Sequence, residues 1–174
     1  MKPPYSPLFF LFILPLFILL GGCETTQLPD PYDYRLELGS DLQGASIQVD
    51  MIGVPAAELE RWRNKSITAY WEPGDADRMA APKKTVVFSK DTESSQMLLS
   101  TDRVWQTWIQ NENATSIVIL ADLPGIRKDA PGNADSRRII LPLAAAAWDE
   151  RPQLITLRIT GTGISAEPMA LTDF

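Results

Sequence analysis

Chemistry in this sequence has to come from carboxylates, hydroxyls, amines, tryptophans or a single thiol, because it holds no histidine and only one cysteine, Cys23. That excludes a Ser-His-Asp triad, a Cys-His pair, a dithiol redox centre and any metal site built on His or Cys. It also excludes internal disulfides. Carboxylates remain. Asp75 and Asp77 flank Ala76 in one turn, and Asp129, Asn133 and Asp135 share one loop. Calcium needs six or more oxygen ligands, and neither cluster follows the alternating pattern that ends in Glu. Both read as solvated turns. Glu58, Glu60 and Asp149 are candidates for the carboxylate pair of a glycoside hydrolase, but sequence does not give their separation. Gly161-Thr162-Gly163 lacks the third glycine and the following helix of a nucleotide loop. Trp105 and Trp108 lie three apart, which puts them on one helical face. Beside Val104 and Ile109 they read first as buried core; if exposed instead, they are a candidate aromatic surface for a sugar or a protein partner. No catalytic residue, cofactor or metal is assigned.

Cys23 gains meaning from what precedes it. Lys2 is a short positive start, and Leu8 to Leu20 is apolar apart from Pro15. Such a run is shorter than the roughly 20 residues a spanning helix requires and suits a secretory signal. Leu20-Gly21-Gly22-Cys23 then resembles a lipobox, the processing site of bacterial lipoproteins. The resemblance implies cleavage between Gly22 and Cys23, a diacylglycerol on the Cys23 sulfur and an acyl chain on the new amino terminus. Two or more chains anchor stably, at about 0.8 kcal/mol for each buried methylene. The mature protein is then expected in the bacterial cell envelope with its domain in the periplasm. Glu24, where Asp would favour the inner membrane, tilts the expectation to the outer membrane.

The elements that position everything else follow. Residues 1–22 are the expected signal, 23–33 a lipidated tether (polar, with Pro29 and Pro31) and 34–174 one domain. A net charge of −6 and the lack of a basic cluster argue against nucleic acid. Period-2 alternation marks strands at Tyr34–Leu38 and Ile47–Met51, expected to pair as a hairpin. Pro55 opens a helix with Leu59 and Trp62 on one face; Ile67 to Trp71 could continue it or extend. Asp75 to Lys84 reads as a loop. Thr85–Ser89 and Met97–Ser100 read as a second hairpin, and Asp102 as a helix cap. Thr115 to Leu123 has the apolar, β-branched content of a central strand. Arg137–Leu143 is a strand interrupted by Pro142, which places it at a sheet edge or ends it there. Leu154–Thr160 is another, with a last short one after Gly163. This pattern gives a mainly β chain: a two-sheet β-sandwich of about seven strands with short helical insertions, with a compact α+β domain as the alternative.

Between the central strand and its successor, Pro124 to Ser136 is longer than most connections and poor in apolar side chains. Ile126, Arg127, Lys128 and Asp129 make it the candidate partner contact, with charges of both signs. It is expected to tolerate shortening without loss of the fold. The layout also resembles the small outer-membrane lipoprotein of type VI secretion: lipobox, tether, an early strand (Ser46 to Gly53), a helical insertion (Pro55 to Trp71) and late strands. Ala121-Asp122-Leu123-Pro124-Gly125 departs from that family. The resemblance implies a non-catalytic, lipid-anchored protein that tethers or assembles a larger envelope complex. The alternative is a module that binds glycan or peptidoglycan.

Overall fold

The computed structural model describes residues 28–171, so Gly22 and Cys23 lie outside the described residues. Among those described, eight strands form two sheets: β1 (Asp33–Leu38), β2 (Ile47–Val54), β3 (Lys83–Phe88), β4 (Ser95–Leu98), β5 (Ser116–Ala121), β6 (Arg138–Pro142), β7 (Leu154–Thr160) and β8 (Gly163–Glu167). One sheet runs β4-β1-β7-β8 and the other β3-β2-β5-β6. The architecture is the expected mainly β sandwich.

Every residue of β5 is buried, because both faces of its sheet are covered. Ile117 and Ile119 face the other sheet, where Leu36, Ile155 and Leu157 complete the main core. Val118 and Leu120 face outward with Ile52, Val54 and Ile140, into a second cluster closed by Trp62, Ile67 and Tyr70. A strand buried on both sides loses its alternation and reads as a continuous apolar run. The second cluster explains the insertion after β2. Helices α1 (Ala56–Asn64) and α2 (Ile67–Trp71) lay Leu59, Trp62, Ile67 and Tyr70 over the sheet. Ser66 caps α2 by accepting from the Ala69 amide at 3.0 Å.

Three expectations are corrected. β1 and β2 form no hairpin: β1 pairs antiparallel with β4 and parallel with β7, while β2 lies between β3 and β5 in the other sheet. β3 and β4 likewise belong to opposite sheets. Alternation reports which face of a strand is buried and is silent about its neighbour. Residues 76–80 are not loop but α3 (Ala76–Ala80), capped by the Asp75 carboxylate, which accepts from the Arg78 amide at 2.9 Å. Five residues are too few to show a helical period.

The tryptophans at 105 and 108 provide no surface. α4 (Val104–Gln106) continues into a π turn (Thr107–Asn111) that buries Trp105 and Trp108 edge-to-face, with ring centroids 5.1 Å apart. Their indole nitrogens donate to the carbonyls of Leu99 at 3.1 Å and Pro82 at 2.7 Å. Gly53 in β2 makes the room, since a Cβ there would overlap the Trp108 indole. The chain also joins the sandwich earlier than expected: Tyr32 is buried and Asp33 already belongs to β1.

Candidate functional site

β5 and β6 are antiparallel neighbours, and residues 122–137 link them at one end of the sandwich. The loop is held from within by two arginines at its return. Arg137 sits with its side chain 4% exposed. Its Nε and Nη2 donate to the two oxygens of Asp135 at 2.9 and 2.8 Å, a bidentate pair. Nη2 also donates to Asp129 at 2.6 Å, and Nη1 donates to the Ile126 carbonyl and to Thr68 Oγ1, each at 3.1 Å. Among the described residues, Arg138 has no carboxylate partner. Its guanidinium donates to backbone carbonyls: Gly132 at 2.9 Å, Trp62 at 2.9 Å, Lys65 at 2.8 Å and Ala130. Burial pulls its pKa down, partly offset by the nearby Asp135 and Asp129.

Asp129 ties the loop to the helical insertion. Its carboxylate accepts from Ser66 Oγ, and from the Thr68 amide and hydroxyl at 3.0 Å each. Burial alone would raise its pKa, but these bonds and the Arg137 guanidinium outweigh it and hold the group well below the usual carboxylate range. Asp135 is lowered in the same way: burial opposes, and the Arg137 side chain with the Arg137 and Ala130 amides prevails. Arg137 in turn is raised, first by its bond to Asp135.

Of the four expected contact residues, two are engaged within the domain, although the Asp129 side chain stays 36% exposed. Asp129 is consumed by internal bonds, and Ile126 packs partly against the main core. Arg127 and Lys128 are exposed, and their backbone carbonyls are held by Thr68 Oγ1 and Arg137 Nη2 at 3.4 Å each. The loop therefore presents two cations on a braced backbone. Sequence reasoning missed Ser66, Thr68, Arg137 and Arg138, and read Asp135 as part of a solvated turn where it is 2% exposed and paired with Arg137. Two adjacent arginines opening an otherwise apolar strand were the available signal, because buried charge demands a partner.

The other acidic candidates, Asp149 apart, are also engaged. Lys65 Nζ donates to Asp75 and Asp77 at 2.7 Å each. Glu58 pairs with Arg61 at 2.6 Å, and Glu60 accepts from Asn64 at 2.6 Å. Asp149 lies exposed outside this group. Asp50, fully buried on β2, accepts from Tyr70 at 2.9 Å, Arg78 at 3.1 Å and Thr85. That network joins α2 and α3 to the sheet. Among the described residues, no group of three or more Asp, Glu, His or Cys could hold a metal ion.

No protein-family model and no curated protein sequence matches the chain. Among solved structures, the C-terminal domain of the T6SS protein TssM from EAEC is similar over 78% of this chain and 98% of its own, at 9% identity and a TM-score of 0.50. Serratia marcescens Lip, a membrane-bound component of the Type VI Secretion System, is 13% identical over 79% of this chain and 97% of its own, with a TM-score of 0.47. The T6SS lipoprotein TssJ1 from Pseudomonas aeruginosa is 10% identical over 83% and 98%, with a TM-score of 0.46. At these identities the likeness lies in the fold.

Proposed function

We propose that this chain is a non-catalytic lipoprotein of the bacterial envelope, anchored through acyl chains on Cys23, that assembles a larger protein complex of the type VI secretion class. The observation that carries the assembly role is the braced loop. Its ordering is already provided by Arg137 and Arg138, so a partner that grips Arg127 and Lys128 meets a surface with little left to freeze. The lipobox supports the anchor. The sandwich shared with the TssM domain, a protein of the same secretion class, supports the setting at the level of fold. The glycan alternative loses its platform, since Trp105 and Trp108 are 3% and 0% exposed.

Two substitutions test this reading. Cys23→Ala abolishes incorporation of labelled palmitate and moves the protein out of the membrane fraction; unchanged labelling contradicts the anchor. The double variant Arg127→Glu/Lys128→Glu keeps its melting temperature and loses co-purification with its envelope partner. A folded double variant that retains every partner removes the loop from the function.

A further inference from the structure

At the far end of the β5–β6 hairpin from the braced loop, the surface opens into a cleft of about 430 Å³. Its walls are Leu28, Tyr32, Leu143, Ala145, Ala146 and Arg151. The polar groups in those walls are already spent. Tyr32 donates its hydroxyl to the Leu143 carbonyl at 3.1 Å, Arg151 pairs with Asp30 at 2.6 Å, and the Leu143 amide donates to the Thr115 carbonyl at 2.9 Å. The cleft offers an occupant mostly apolar contact, with the half-exposed Arg151–Asp30 pair among its lining. Around it Leu28 and Leu171 stand 52% and 60% exposed, and Ala144 to Ala146 are exposed as well. Leu171 is fixed beside that turn by its amide, which donates to the Ala147 carbonyl at 2.8 Å.

We infer that this cleft is a bilayer seat: the face of the domain that rests on the membrane and takes up lipid acyl chains. The inference rests on the lipid anchor proposed above. Leu28, on the cleft wall, is five residues beyond Cys23. Five extended residues span at most about 18 Å, so an acylated Cys23 keeps this rim close to the headgroups. Lipid is then the apolar material within reach. With the exposed Arg151 paired to Asp30, the exposed Asp149 and Glu150 leave this rim net negative, which disfavours anionic headgroups, so the seat suits a zwitterionic surface. The six residues of β5 separate the two ends by about 20 Å. Seating this end therefore points Arg127 and Lys128 away from the membrane.

The test uses the full lipidated chain in phosphatidylethanolamine-rich vesicles. With the Cys23 sulfur acylated, Ala145→Cys supplies one free thiol for an environment-sensitive fluorophore, and Lys128→Cys supplies the control at the opposite end. The label at 145 should shift to the blue, be quenched by brominated lipid and lose iodide quenching severalfold relative to detergent solution. The label at 128 should change in none of these. A protein that floats with vesicles yet leaves both labels equally open to iodide overturns the seat alone. A lipidation-competent preparation that does not float overturns the seat together with the anchor.

Discussion

Arg137 carries more of the candidate site than any exposed residue. Its partner Asp135 has a side chain 0% exposed, so removing the guanidinium strands a buried carboxylate. Breaking such a pair from one side costs about 3–5 kcal/mol, and Arg137→Gln should lower the denaturant midpoint accordingly. The pH dependence has a defined sign. Asp129 and Asp135 titrate lower in the folded state than the ordinary carboxylate value near 4. Their contribution is complete above that value and is lost as pH falls through the depressed folded values. The native protein should keep the brace through mild acid, whereas Arg137→Gln should unfold at a distinctly higher pH. Circular dichroism during acid titration of both proteins checks this. Gly53 is the second sensitive position, because any Cβ there collides with the Trp108 indole. Gly53→Ala should cost about 1–3 kcal/mol, the usual range for overpacking. A melting temperature equal to the native protein's would mean that the indole has room to move.

At the scale of elements, the loop from 124 to 136 behaves differently from its composition. Shortening it looked inexpensive because loop-closure entropy changes slowly with length. The structure reverses that expectation. Excising Ile126 to Asp135 removes both carboxylates from Arg137 and the Gly132 and Ala130 carbonyls from Arg138. The deletion should destabilise the domain strongly, while Asp129→Asn, which keeps the shape but weakens the tie to Ser66 and Thr68, should destabilise it modestly. Thermal melts of the two variants side by side measure the order. The strands were legible in the sequence for a related reason. Alternation at Tyr34 to Leu38 and the solid run at Ser116 to Ala121 record which faces are buried, and burial is what selects residue type. Pairing was not legible, because β1 offers the same pattern whether it meets β2 or, as it does, β4 and β7. The tryptophans were ambiguous for want of one fact: Gly53 opposite Trp108 decides that the indole goes inward, and that neighbour is distant in sequence. The brace was hidden because each charge in it is read as solvated until its partner is known.

For the molecule as a whole, the sandwich has two distinct ends. The chain enters beside the apolar cleft, and the β5–β6 hairpin carries the braced cations to the opposite end. An anchor at one end and a contact at the other, as proposed above, suit an assembly component. The most direct measurement is site-specific photo-crosslinking in intact cell envelopes. A photoreactive residue is placed at Arg127, at Ala145 or at Val87, an exposed residue of the β3 edge. The account predicts one discrete protein adduct from position 127, lipid adducts from 145 and neither in quantity from 87. A protein adduct from position 87 with none from 127 would contradict it.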